Sequence, residues 1–114
     1  MKYMLQVRFN GADTKISKLS AEEQQAITAE FEAIRRLTGV LDGNRLQHAN
    51  TATTVRVRNG RAHAVEGPAV DPGAALDGYY IYEAPDLEAA TALAARIPAA
   101  RLGATVEIRP VAEQ

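Results

Sequence analysis

The sequence predicts an α+β domain in which one antiparallel sheet carries two main helices on one face and an extra β-hairpin. Segments of alternating or continuous apolar residues, which are typical of strands, come before, between and after two segments with helical spacing. The hairpin is predicted by Asn59-Gly60, which separates two short alternating runs. A two-residue turn of type I′ requires positive φ at both central residues, and Asn-Gly supplies it.

The first strand is predicted at residues 2–9, where polar and apolar side chains alternate. Asn10-Gly11 then turns the chain into a polar loop. The apolar face of this strand consists of Tyr3, Leu5, Val7 and Phe9.

The first helix is predicted to span residues 20–38. Ser20 and Glu23 have the spacing of a capping box, in which each side chain satisfies a backbone N–H of the first turn. Gly39 is suited to end the helix because glycine adopts positive φ without strain. The apolar stripe of this helix contains Ile27, Phe31, Ile34 and Leu37.

Three extended stretches are predicted between the two helical segments. Residues 44–48 are expected to form a short strand that leads into the hairpin. The hairpin ends before Pro68, because proline cannot donate a hydrogen bond to a neighbouring strand. The apolar segment 78–82 is predicted to be a strand buried on both faces.

A second helix is predicted after Asp86, which is a good N-cap, and Pro98 closes it. Residues 105–110 alternate and predict the last strand. Two helices can cover only one face of such a sheet, and the other face carries Met4 and one or two of the tyrosines. A second copy of the chain is the simplest cover, which predicts a homodimer. The stripe of the second helix contains Leu87, Ala90, Leu93 and Ile97.

Composition restricts the class of protein further. The 114 residues form one domain, 1–114, of ordinary soluble composition, with 46% hydrophobic and 24% charged residues. A net charge of −1 provides no global field for nucleic acid or an acidic membrane, so neither is an expected partner. The absence of cysteine excludes thiol chemistry and fits a reducing compartment. The first ten residues are too short and polar for a signal peptide, and we expect a cytoplasmic protein.

Several segments, taken in order, carry a family resemblance: TATTVRVRNG, then EGP, then GYYIYEAPDLEAATALAARIPAAR and VEIRPV. Together they resemble the YCII-related family in its DGPF-motif branch, over nearly the whole chain. The resemblance implies a ferredoxin-like α+β fold and a dimer whose sheets pack face to face. Relatives of that fold include muconolactone-type isomerases and dehalogenating lyases.

The motif of the resembled branch is altered in this chain. Asp-Gly-Pro-Phe is replaced by Glu66-Gly67-Pro68-Ala69, so the acid is longer and the phenylalanine is lost. The charged stretch that usually follows has become residues 70–73. The other branch carries a histidine in its first helix, and residues 20–38 contain none.

A two-residue turn at Asn59-Gly60 determines which hairpin residues lie opposite each other, and opposed residues project to the same side. Two different faces result. One face contains Arg56, Arg58, Arg61 and His63. The other face contains Val55, Val57, Ala62 and Ala64, with Glu66 at its end opposite Thr53. The cationic face is either a solvated outer surface or a site for a carboxylate or phosphate, because opposed like charges require water or an anion between them.

Glu66 is the strongest candidate for acid–base chemistry, since it ends the apolar face beside Gly67-Pro68. The alternative is a structural carboxylate at a turn. His48 is a candidate pocket residue or an exposed residue at a strand end, and His63 could assist a reaction from the hairpin.

Other residues are candidate ligand contacts. Arg56 could hold a substrate carboxylate, and Tyr80 and Tyr82 share a strand face from which they could hydrogen-bond a ligand or pack at an interface. Asp71 and Asp77 are candidate ligand contacts or, more simply, turn acids. Two histidines without partner spacing predict no metal site, and the absence of glycine-rich phosphate motifs predicts no cofactor.

Two functions follow from these residues. The first is a dimeric protein that binds a small anionic metabolite or acts as a lyase or isomerase, with Glu66 as the acid–base group. The alternative is a non-catalytic binding or partner module, which the family resemblance connects with a sigma-factor-linked regulatory circuit. The altered motif favours the second slightly.

Overall fold

The computed structural model describes residues 1–113 and confirms the α+β architecture with a separate hairpin. Three short 3₁₀ turns, at Ala49–Thr51, Pro72–Ala74 and Pro98–Leu102, connect the regular elements. In chain order these elements are β1 (Lys2–Arg8), α1 (Ala12–Ser17), α2 (Ala21–Arg35), β2 (Val40–Arg45), β3 (Thr53–Arg58), β4 (Arg61–Glu66), β5 (Gly78–Glu83), α3 (Leu87–Ala95) and β6 (Thr105–Pro110).

The main sheet has four antiparallel strands in the order β2-β5-β1-β6. When the β3–β4 hairpin and the short helix α1 are left out, the chain runs strand, helix, strand, strand, helix, strand, which is the ferredoxin-like arrangement. The central strand β1 is hydrogen-bonded on both edges, so that Leu5 lies between Tyr80 and Ile108. This register puts the apolar residues of three strands on one face of the sheet.

The core lies between that face and the helices α2 and α3. Alternation in β1 and the stripes of both helices produce it, because each element has one apolar side to bury. Leu87, expected in the stripe of α3, is instead 56% exposed. The core includes Tyr3, Leu5, Val7, Ile27, Phe31, Ile34, Tyr80, Ala90, Leu93, Ile97 and Ala99.

The helix termini confirm the predicted caps. The hydroxyl of Ser20 accepts a hydrogen bond from the Glu23 N–H at 3.1 Å, and the Glu23 carboxylate accepts from the Ser20 N–H, which completes the capping box. The Asp86 carboxylate accepts from the Ala89 N–H at the start of α3. Helix α2 ends at Arg35, three residues before the predicted end.

Two predicted segments differ in the structure. The strand expected at residues 44–48 lies earlier, because β2 pairs with β5 through Val40–Arg45 and places Gly43 opposite Tyr80. The loop expected after Asn10 contains the short helix α1, whose six residues are too few to show helical periodicity.

The strand β5 is buried on one face only, which corrects the expectation that both faces are buried. Tyr80 lies on the face toward the helices, while Tyr79 and Ile81 are half-buried on the opposite face. We call this helix-free side of the sheet the open face. In the centre of the sheet it also carries Met4 and Gln6.

The β3–β4 hairpin, Thr53–Glu66, projects from the body of the domain, and we call it the arm. The predicted register is confirmed, with Arg58 opposite Arg61, Arg56 opposite His63 and Thr53 opposite Glu66. Every residue of its two strands is exposed except Thr54, which is half-buried. The radius of gyration of the Cα atoms is 15.8 Å, whereas a compact domain of this size has one of about 13 Å.

The close approach of β2 to β5 generates a prediction about stability. A methyl group added at Gly43 would overlap the ring of Tyr80, which is held in the core. We expect Gly43→Ala to lower the free energy of unfolding by about 1–3 kcal/mol, the usual cost of overpacking. The control is Gly73→Ala, because no atom lies within 4 Å of the added methyl there. Urea titration measures both, and equal midpoints for the two variants would contradict the close approach.

Candidate functional site

A cleft at the root of the arm contains the predicted site residue His48. It is larger than the two other clefts that contain a predicted site residue. This cleft has a volume of about 540 Å³ and lies between the turn after β2, the base of the arm and the segment after β4. We call it the root cleft. Its walls are mostly apolar or neutral and consist of Leu46, Gln47, His48, Ala49, Thr51, Ala52, Thr53, Thr54, Pro68, Ala69, Val70, Ala75 and Leu76.

Two hydrogen bonds at the base of the arm hold one wall of the root cleft. The Gly67 N–H donates to the Ala52 carbonyl at 2.8 Å, and the Thr54 hydroxyl donates to the Gly67 carbonyl at 2.7 Å. Gly67 has a φ of 104°, which a residue with a Cβ adopts only with strain. Pro68 follows and ends the pairing of the strands. The altered motif therefore acts in this chain as the joint between the arm and the body.

His48 is placed in the root cleft by a local cap. It precedes the 3₁₀ turn Ala49–Thr51, and its Nδ1 accepts a hydrogen bond from the Asn50 N–H at 3.1 Å. Because Nδ1 is the acceptor, the neutral imidazole carries its proton on Nε2. Nε2–H has no partner among residues 1–113 and is a donor available to a ligand.

A second, smaller cleft of about 220 Å³ shares His48 and Ala49 with the root cleft. Asp77 lines it and is held firmly, since its carboxylate accepts from the Phe9 N–H at 2.8 Å. This long-range bond ties Asp77 to the residue after β1, and its role as a turn acid stays a prediction. Its position beside the cleft of His48 was missed, because no local pattern relates residues that are 29 positions apart.

Glu66 lies at the rim of the root cleft rather than in its wall. It is exposed in a single protomer, although it ends the apolar face of the hairpin. Its cross-strand partner Thr53 does line the cleft, and opposed side chains in a strand pair project to the same side. Glu66 is therefore the carboxylate next to Thr53 at the mouth of the cleft.

His63 and Arg56 face away from Glu66. They are paired across the arm on its cationic side, together with Arg58 and Arg61. Within residues 1–113 these three arginines form no ion pair with a carboxylate. In one protomer, the three predicted catalytic residues thus lie at three places: the cleft wall, its rim and the opposite face of the arm.

The predicted ligand contacts Tyr80 and Tyr82 face the helices. The Tyr80 hydroxyl donates to the Phe31 carbonyl at 2.9 Å, and Tyr80 is only 3% exposed. Tyr82 is half-buried against the core beside Gly39. Asp71 is exposed and precedes the turn Pro72–Ala74 without a side-chain cap. A ligand role for each of them stays a prediction.

Tyr80 also borders a small cavity between α2 and the edge of the sheet. The cavity has a volume of about 20 Å³, which admits about one water molecule and no metabolite. The guanidinium of Arg45 lies 5.0 Å from the centre of the Phe31 ring and donates to Thr28 Oγ1 at 3.3 Å, which closes this side. We therefore assign the cavity to packing rather than to binding.

The pKa of Tyr80 is raised from its ordinary value of 10.0 to about 12. Desolvation by burial is the main cause, and the negative charge of Glu32 adds to it. Arg45 and Arg35 act in the opposite direction. The shift reflects the tight packing of this hydroxyl in the core.

The described part of the chain contains neither a group of metal-ligating side chains nor a membrane-spanning helix. Within residues 1–113, no three side chains of histidine, cysteine, aspartate or glutamate are grouped so that they could hold a metal ion. None of the helices in that range is long and apolar enough to cross a bilayer.

The fold and the clefts define a class: a two-layer α+β domain with a projecting arm and a ligand-sized cleft at the root of that arm. The model of the YCII-related domain matches residues 1–113. The chain therefore belongs to the YCII-related family, which confirms the resemblance at the family level. No curated protein matches it significantly.

The environment of Tyr80 generates a prediction about pH. Between pH 10 and about 12 the unfolded chain loses the phenolic proton while the folded protein keeps it, so the stability falls across this window and is fully present below it. A shift of two units corresponds to about 3 kcal/mol. We expect Tyr80→Phe to remove this part of the pH dependence and to cost about 1 kcal/mol at neutral pH through the lost hydrogen bond.

The control for this prediction is Tyr79→Phe, which changes a half-buried tyrosine on the open face. Urea unfolding of both variants and the parent protein at pH 9 and pH 11 gives the comparison. If Tyr80→Phe and Tyr79→Phe lose the same stability between these pH values, the burial of the Tyr80 hydroxyl does not control the alkaline slope.

Proposed function

We propose that this YCII-related protein is a binding module for a small metabolite, which it takes up in the root cleft. The observation that carries the proposal is that His48, whose Nε2–H has no partner among residues 1–113, lines a cleft of about 540 Å³ whose other walls are apolar or uncharged. Small-molecule sites are concave, mostly apolar and equipped with a few placed polar groups, and their volumes are about 300–1,000 Å³. The cationic face of the arm is flat and exposed, and it fits this description less well.

The polar groups of the root cleft indicate the class of ligand. The Nε2–H of His48 donates, and the side chains of Gln47 and Thr53 form no hydrogen bond within residues 1–113. Such donors suit a carboxylate or carbonyl oxygen attached to a short apolar body. A small monocarboxylate, the simplest anionic metabolite of this kind, is the ligand we propose.

Catalysis is a second candidate function, and one observation favours it. A ligand held at Thr53 would lie beside Glu66, which could transfer a proton in a lyase or isomerase reaction. His63 and Arg56 would contribute only from another protomer, because both face the opposite side of the arm. Binding without catalysis is the simpler function of the single protomer.

Two further features of the protein belong to the proposal. The segment Glu66-Gly67-Pro68-Ala69, placed at the joint of the arm, supports membership of the DGPF-motif branch. The open face, with the half-buried Met4 and Ile81, supports a homodimer. A cytoplasmic location is proposed from the lack of cysteine.

A thermal-shift screen tests the binding proposal. Small carboxylic acids and their matched amides are added to the protein, and a ligand that binds only the folded state raises the melting temperature. We expect short apolar carboxylates to stabilise the parent protein. We expect His48→Asn to lose most of this stabilisation, because Asn can still cap the turn but does not place a donor at the Nε2 position.

The matched control is His63→Asn, since His63 is the second histidine of the chain and does not line the root cleft. Equal stabilisation of the His48→Asn and His63→Asn variants by the same acid would exclude the root cleft as its site. For the catalytic candidate, Glu66→Gln should keep the ligand-induced stabilisation and abolish turnover of that ligand. Turnover that survives Glu66→Gln would remove Glu66 from any mechanism.

A further inference from the structure

The tip of the arm carries one of the two Asn-Gly pairs of the chain, Asn59-Gly60, and the other pair is Asn10-Gly11. In both pairs each residue has a positive φ, which is 52° and 76° at the tip of the arm and 51° and 88° in the turn after β1. The same dipeptide thus has a similar backbone conformation at two places. These two places differ in how firmly the surrounding structure holds them.

An asparagine that is followed by glycine can react with its own backbone. The glycine nitrogen lies close enough to attack Cγ of the asparagine side chain and close a five-membered ring, and glycine has no side chain that blocks the approach. The reaction requires a glycine N–H without a hydrogen bond, a free side-chain amide and a backbone that can rotate. These requirements decide which of the two pairs reacts.

Asn59-Gly60 meets all three requirements. Both residues are exposed. Within residues 1–113, neither the Asn59 side chain nor the Gly60 N–H forms a hydrogen bond. The arm is a two-stranded hairpin without a covered face, and such a hairpin opens readily at its tip. The backbone rotation that ring closure needs is therefore accessible here.

The turn at Asn10-Gly11 is held from both sides. The side-chain amide of Asn10 donates to Thr105 Oγ1 at 2.9 Å. The turn is closed by a hydrogen bond of 2.9 Å from the Ala12 N–H to the Phe9 carbonyl, and both of these residues are anchored in the body of the domain. Rotation of the backbone at this pair would open part of that body, whereas the tip of the arm opens without it.

The charges at the tip of the arm also favour the reaction. Asn59-Gly60 lies between Arg58 and Arg61, which are opposed across the hairpin and form no ion pair with any carboxylate of residues 1–113. Ring closure passes through an anion at the glycine nitrogen and then an oxyanion at the asparagine Cγ, and nearby positive charges stabilise both. The corresponding positions around the other pair are uncharged.

We propose that the freedom and the charge of the arm make Asn59 a site of intramolecular deamidation. The Gly60 nitrogen loses its proton to hydroxide, forms a bond to Cγ of Asn59 and displaces the side-chain nitrogen as ammonia, so that a cyclic imide results. Water then opens the imide at either carbonyl and leaves aspartate or isoaspartate at this position. One water is consumed and one ammonia is released, and no oxidant or reductant takes part. The reaction does not involve the root cleft.

The modification changes both the charge and the geometry of the arm. Thr53–Glu66 contains three arginines and one glutamate, a net charge of +2, which falls to +1 when the new carboxylate forms. Isoaspartate also adds one carbon to the main chain, so the two-residue turn that sets Arg58 opposite Arg61 is no longer regular. The cationic face of the arm therefore weakens as the molecule ages.

Incubation of the folded protein at pH 8 in heavy-oxygen water, followed by peptide mass spectrometry, tests this proposal. We expect Asn59 to incorporate heavy oxygen at least about tenfold faster than Asn10, because opening of the arm costs less than opening of the body. In concentrated urea both pairs are unfolded, and we expect the two rates to converge. Equal rates in the folded protein, or a preference for Asn59 that urea leaves unchanged, would overturn the proposal.

Isoelectric focusing of the aged, intact protein tests the position independently. Asn59→Gln lengthens the side chain by one methylene, so the five-membered ring cannot form, and we expect this variant to lose the acidic form that accumulates in the parent protein. Asn10→Gln is the matched control and should accumulate that form as the parent does. An acidic form that persists in Asn59→Gln and disappears in Asn10→Gln would place the reaction at the wrong pair and overturn the proposal.

The role of the positive charge is tested with Arg58→Gln. We expect this variant to react at Asn59 about two- to fivefold more slowly, which is the effect of one exposed charge. The control is Arg36→Gln, because Arg36 is an exposed arginine outside the arm and its replacement changes the net charge equally. Equal rates at Asn59 in the two variants would contradict the assistance by the arginines of the arm.

Discussion

The antiparallel pairing of β1 with both β5 and β6 is the constraint on which the structure depends. It places Leu5 between Tyr80 and Ile108, so one face of the sheet becomes continuous and apolar. The helices α2 and α3 cover that face, and two helices leave the other face uncovered. A one-residue change in this register would move every apolar side chain of β1 to the wrong side. The core and the open face therefore both follow from one set of strand pairs.

The arm is separate from this core, and its two faces carry different kinds of side chain. Alternation in the two strands sends cations to one side and small apolar residues to the other, since neighbouring residues of a strand face opposite sides. Glu66 and His63 therefore cannot approach the same ligand within one protomer. Pro68 and Ala69, which follow the joint at Gly67, line the root cleft together with His48.

His48 shows how a local hydrogen bond determines chemical character. Its Nδ1 is occupied by the Asn50 N–H, so the neutral ring carries its donor on Nε2. A histidine with a free Nδ1 could act as a base there, but this one favours recognition of an oxygen. The carboxylate of Asp77 is similarly occupied by the Phe9 N–H. Both groups are thereby oriented by the backbone, which suits a binding site that is formed before the ligand arrives.

The sequence by itself determined the features that depend on neighbouring residues. Ser20 and Glu23 defined the start of α2, Asp86 defined that of α3, and the two-residue turn at Asn59-Gly60 determined every pair in the arm. The family was also evident from the order of the segments. The tertiary structure alone decided which tyrosines of β5 face the helices, because Tyr79 and Tyr80 are identical in type and only the pairing with β1 distinguishes them. It also decided that His48 lines the root cleft and that the arm stands free of the sheet, since both depend on contacts between distant parts of the chain that no local pattern encodes.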